Sequence, residues 1–111
     1  MIAMTMIPVT LTTEDFEDLC DTAGYVIGHW ADSATLGNDQ YRINEEDDSH
    51  LITRSQLIHT IAEIIAGKYD VAYSLRRTVT SAIVNDDLGE LDGYDIDAII
   101  QLACFKEIVY G

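Results

Sequence analysis

Basic residues are scarce in this chain: six Lys and Arg face twenty Asp and Glu, for a formal charge of −14 at pH 7. A surface this negative repels phosphate backbones and anionic lipid, so direct binding of nucleic acid or of a membrane is not expected. Proline occurs once and glycine seven times in 111 residues, with no Ser/Gly-rich linker and no internal period. One folded domain over residues 1–111 is therefore expected, not a repeat array or a disordered chain. No apolar run approaches the about 20 residues that span a bilayer. The opening MIAMTMIPVT is apolar but lacks the basic start of a secretory signal, and reads as a strand of the fold. Cysteine is limited to Cys20 and Cys104, in apolar contexts at opposite ends of the chain, which suits two reduced thiols in a cytosol better than a disulfide framework.

Catalytic signatures are missing as well. His29, His50 and His59 form no HExxH motif and no zinc-type spacing with cysteine, and no serine sits in a nucleophile elbow. The chain reads as a non-enzyme with no catalytic residue, no metal and no cofactor. Two acidic stretches test that reading. NEEDDSH, residues 44–50, supplies charge but no glycine, and a hard cation needs about six to eight oxygens from a loop that bends around it. The stretch from Asn85 to Asp97 fails the EF-hand template. Placing Gly93 at the sixth loop position puts Leu88 at the first and Ile99 at the twelfth, where acids are required.

What is present is helical periodicity. Thr12 or Thr13, followed by Glu14 and Asp15, makes a helix start. Phe16, Leu19, Cys20, Ala23, Val26, Ile27 and Trp30 then give a buried stripe over about residues 13–32. Gly24 and Gly28 inside it predict close approach of another backbone. The turn LGND at residues 36–39 precedes two short strands, 40–44 and 50–53, so NEEDDSH becomes a hairpin tip. Thr53 with Gln56 resembles a capping box for a second helix ending at Gly67. Asp70 is read as the cap of a third and Asp95 as the cap of a fourth, which continues to the C-terminus. That last helix is apolar on more than one side. It is either central or shared with a second subunit, and the small core favours the second, hence a homo-oligomer with a dimer preferred. The expected fold is α+β and predominantly helical: about four helices, with a short β-hairpin that the N-terminal strand extends.

Candidate partner-binding residues are the acidic clusters. They comprise Glu14, Glu17, Asp18 and Asp21 on the first helix, Glu45, Glu46, Asp47 and Asp48 at the hairpin tip, and Asp86, Asp87, Glu90 and Asp92 before the last helix. Twenty carboxylates match the phosphates of about ten base pairs, or about 34 Å of duplex. DNA mimicry is thus the sharpest form of a reading in which the partner is a basic protein. The bland reading is general acidity for solubility, with solvated turns and helix faces. Arg76-Arg77 is the one basic pair and can fork onto a phosphate or carboxylate. With Tyr25, His29 and Trp30 it defines an alternative, a homo-oligomeric binder or sequesterer of a nucleotide-like molecule.

Three segments carry a resemblance: Gly24-Tyr25-Val26-Ile27-Gly28-His29-Trp30-Ala31, the acidic mid-chain strand region, and the ending from Asp95 to Gln101 and Phe105 to Gly111. Together they resemble small acidic proteins of unassigned function from actinobacterial bacteriophages. The resemblance implies a phage product in the host bacterial cytoplasm, of a class whose members often inhibit host defence or nucleic-acid enzymes. The leading expectation is therefore a phage accessory protein that binds and inhibits a basic host protein. A virion structural or assembly role is a further alternative.

Overall fold

Thr12 opens the first helix by a reciprocal cap. Its hydroxyl accepts the Asp15 amide at 3.0 Å, and the Asp15 carboxylate accepts the Thr12 amide at 3.3 Å. The computed structural model describes residues 8–111, so most of the stretch expected as an N-terminal strand lies outside the described residues, and Pro8 to Thr10 form no strand. Helix α1 (Thr13–Val26) buries Phe16, Leu19, Cys20 and Ala23. It ends earlier than its stripe predicts, because Ile27–His29 tighten into a 3₁₀ turn that still delivers Ile27 and Trp30 to the core. The glycines do not admit a crossing backbone. A Cβ on Gly28 would meet nothing within 4 Å, and one on Gly24 only the Tyr41 hydroxyl at 3.7 Å.

Three strands follow, not two: β1 (Ser33–Gly37), β2 (Gln40–Glu45) and β3 (Asp48–Thr53) form an antiparallel sheet in the order β1-β2-β3. Two-residue turns close it between Gly37 and Gln40 and between Glu45 and Asp48. Tyr41, Ile43 and Ile52 point into the core. NEEDDSH is thus a hairpin tip, with Glu46 in the left-handed region at φ 46°. Helix α2 (Arg54–Ile65) begins at the Thr53–Gln56 box and stops before Gly67, whose φ of 76° ends it.

Two cap assignments need correction. Asp70 does not start the third helix. The first helical carbonyl is that of Ala72, which accepts the amides of Leu75 and Arg76, and α3 runs Tyr73–Val84. Asp95 does not cap the fourth; Asp92 does, accepting the Asp95 amide at 2.9 Å while Asp95 reciprocates at 3.1 Å. The Asp95 carboxyl sits above its usual range, chiefly through burial. Helix α4 (Gly93–Phe105) also stops short of the C-terminus, because Lys106 turns left-handed at φ 64°. Ile108 and Val109, counted in its apolar stripe, lie beyond it and are exposed. Buried Ile96, Ile99, Ile100 and Leu102 pack α4 among α1, α2, α3 and β3. A central position in its own chain thus accounts for its apolar sides without a second subunit. The tight glycine is Gly93 instead, and what approaches it is a side chain: a Cβ there would lie 2.9 Å from Val26 Cγ1. Cys20 and Cys104 are free, and burial pushes both thiols up to about 12. No helix among the described residues is long and apolar enough to cross a membrane.

Candidate functional site

Three features outside the hydrophobic core carry polar chemistry. The first is the outer face of α1. Glu14, Glu17, Asp18 and Asp21 are all exposed, and none has a basic partner within 4.0 Å among the described residues. Steps of four, three and four residues align Glu14, Asp18, Asp21 and Tyr25 along one stripe, and Tyr25 ends it 91% exposed.

The other acidic clusters are more divided. At the hairpin tip Glu46, Asp47 and Asp48 are exposed, but Glu45 turns inward to accept the Tyr110 hydroxyl and pair with His50 at 3.2 Å. These contacts, led by the Tyr110 hydrogen bond, hold the Glu45 carboxyl below its usual range and raise the Tyr110 phenol. Before α4, Asp86 is exposed without a side-chain bond among the described residues, while the other three work locally. Asp87 accepts the Gly89 amide at 3.1 Å, Glu90 takes the Ser81 hydroxyl at 2.7 Å, and Asp92 caps the helix.

The second feature is a groove of about 1120 Å³ between α2 and α3, in which both Arg76 and Arg77 stand. Arg76 Nε donates to the Ile65 carbonyl at 2.9 Å, and the Arg77 guanidinium lies 6.0 Å from the Tyr73 ring centre. Neither has a carboxylate within 4.0 Å among the described residues. Tyr25, His29 and Trp30, grouped with these arginines from the sequence, do not line the groove. Tyr73 takes their place, at the i, i+4 spacing that the sequence contained all along.

The third feature is where His29 and Trp30 go. Asp97 accepts the buried Trp30 indole N–H at 2.8 Å, faces His29 Nε2 at 2.7 Å and accepts Gln101 Nε2 at 3.1 Å. Gln101, 1% exposed, also donates to the Tyr110 carbonyl at 3.0 Å and accepts the amides of Val109 and Tyr110 at 2.9 and 2.8 Å. This pins the C-terminal segment down, and Tyr110 stacks on Trp30 at 5.5 Å with the rings 2° from parallel. Phe105 packs edge-on against Trp30 and His50. The sequence did not single out Asp97, Gln101 or Tyr110. Gln101 in mid-helix between Ile100 and Leu102 was the available signal, since a polar residue must find partners when buried.

Among the described residues, no group of three or more His, Cys, Asp and Glu side chains is placed to hold a metal ion. No protein-family model, curated protein or solved structure matches the chain.

Proposed function

We propose that this chain is a non-enzymatic phage accessory protein that binds a basic surface on a host protein in the bacterial cytoplasm and inhibits it. The observation that carries the reading is the α1 face. Like charges three and four residues apart repel, by about 0.2–0.5 kcal/mol a pair, and Glu14–Glu17, Glu14–Asp18, Glu17–Asp21 and Asp18–Asp21 are all such pairs. No basic residue relieves them in the last turn of α1, so the helix carries a destabilising arrangement that a cationic partner would convert into attraction. Tyr25 at the end of the stripe offers an open ring face to a Lys or Arg of that partner. Glu46, Asp47, Asp48 and Asp86 extend the steering field, and Glu45, Asp87, Glu90 and Asp92, already engaged within the chain, contribute charge more than contacts.

The test is retention of host proteins on the immobilised chain at low and at high salt, with mass identification. Capture of a basic protein, lost as salt rises and lost in the Glu17→Gln/Asp18→Asn/Asp21→Asn variant, is expected. Three rim pairs at about 0.2–1 kcal/mol each correspond to a weakening of roughly 3- to 150-fold. Competition by duplex DNA would identify the partner's nucleic-acid surface as the target. Equal capture by the neutralised variant would sink the assignment to α1.

A further inference from the structure

We propose that the groove between α2 and α3 is a binding site for a small organic phosphate, with Arg76 and Arg77 taking the phosphoryl group. In a chain with twenty carboxylates, adjacent exposed arginines would ordinarily be drawn into ion pairs. Arg54 does pair with Asp39 at 3.2 Å, whereas Arg42 reaches the neutral Ser49 hydroxyl. Arg76 and Arg77 are positioned by neutral groups.

One guanidinium is fixed by the Ile65 carbonyl through Nε, which leaves its two terminal nitrogens to act as a fork. It lies flat over Gly67, where a Cβ would come within 3.1 Å of its central carbon. A Cβ at residue 67 would push it by a few tenths of an ångström, so the glycine serves the helix end and also lets the arginine lie close. The other guanidinium faces the Tyr73 ring, 6.0 Å from its centre. Holding a cation by a carbonyl and a π face keeps its charge uncancelled while restricting its motion, as an oxyanion site requires.

Ligand size and character follow from the lining. Ile65, Ala66 and Val84 supply apolar surface beside the arginines. The lining carboxylate, Glu90, is already bonded to Ser81 and Asn85. A volume of about 1120 Å³ slightly exceeds that of ordinary small-ligand sites, which run to about 1,000 Å³, so such a ligand would fill only part of the groove. An anionic head with an apolar or flat body matches this division, as in a nucleotide. The inference is independent of the acidic-face reading, since it uses different residues and a ligand of opposite charge.

Calorimetric titration with pyrophosphate, AMP and ATP tests it, alongside a Glu-rich peptide. Binding of a nucleotide with Kd at or below about 1 mM is expected, tighter than pyrophosphate because the body adds contacts. Arg77→Gln, an exposed side chain outside the core, should weaken it at least about tenfold, and Arg77→Lys should restore only part, having charge without the fork. Arg76→Ala should abolish it but also loosens the end of α2, so Arg77 decides. No binding of any phosphate at about 5 mM, binding unaffected by Arg77→Gln, or equal affinity for the Glu-rich peptide would each overturn the proposal.

Discussion

Gln101→Ala should detach the C-terminal segment from the rest of the fold. The substitution removes four hydrogen bonds: two donated, to Asp97 and the Tyr110 carbonyl, and two accepted, from the Val109 and Tyr110 amides. At about 0.5–1.5 kcal/mol net for each, the sum is about 2–6 kcal/mol. The lower half of that range applies, because a released segment exposes its backbone groups to water, and Asp97 retains Trp30 and His29 as partners. Losing the Tyr110 stack on Trp30 adds about 0.5–1.5 kcal/mol. A loss of about 2.5–5.5 kcal/mol lowers the melting temperature by roughly 10–22 °C in a domain of this length.

Urea unfolding of the variant supplies the free energy, and Trp30 fluorescence reports the loss of Tyr110. A control separates latch from core. In a chain ending at residue 106, Gln101 has lost the segment it holds, so Gln101→Ala should cost less than in the full chain by about 1 kcal/mol or more. A full-length cost below about 0.5 kcal/mol, or an equal cost in both backgrounds, would refute the latch.

Three further outcomes follow from the same geometry. Glu17→Gln/Asp18→Asn/Asp21→Asn breaks the four like-charge pairs among Glu14, Glu17, Asp18 and Asp21, so at low salt it should raise unfolding free energy by about 1 kcal/mol; a fall in stability would mean that these side chains have favourable partners. Gly28→Ala should stabilise the chain by about 0.4–1 kcal/mol, since the added methyl meets nothing and backbone entropy falls, whereas Gly93→Ala should destabilise it against Val26; equal melting temperatures would contradict both. Glu45 has its carboxyl held below the ordinary 4.5 by Tyr110 and His50. Its contribution is therefore complete above that value and lost as pH falls through the lowered one. The stability gap between wild type and Glu45→Gln should narrow with acid, and a gap constant from about pH 6 to 3 would show that Glu45 is not coupled to the fold.

Local spacing made much of the fold legible. The Thr12 and Thr53 caps are read from residues three apart, and Gly67 from the end of a stripe, because each is settled within one helical turn. β1 escaped notice because Ser33-Ala34-Thr35-Leu36-Gly37 has only Ala34 and Leu36 facing inward, too weak an alternation to register. The helix end at Phe105 was hidden for a different reason. Lys106-Glu107-Ile108-Val109 continues a plausible apolar pattern, and only Gln101, acting across eight or nine residues, shows where the segment goes. The arginine groove was half legible. A basic pair stands out in an acidic chain, but a backbone carbonyl as its partner leaves no mark in the sequence.

The His29–Asp97 pair illustrates how satisfied hydrogen bonds separate structure from function in this fold. A histidine 2.7 Å from a carboxylate, beside a tryptophan, has the look of an acid–base dyad. Yet Asp97 divides its oxygens among His29, Trp30 and Gln101, and each further link in the chain ends on the C-terminal segment or the sheet. Such a network rigidifies the structure it joins. The α1 stripe and the arginine groove are the opposite case. There, like charges stand together without an ion-pair partner among the described residues, and on α1 local stability would improve if they were neutralised. Sites that violate local preference are where a folded chain is expected to meet something else, and that is why the proposed partner face is placed on Glu14 to Tyr25 and the proposed phosphate site on Arg76–Arg77.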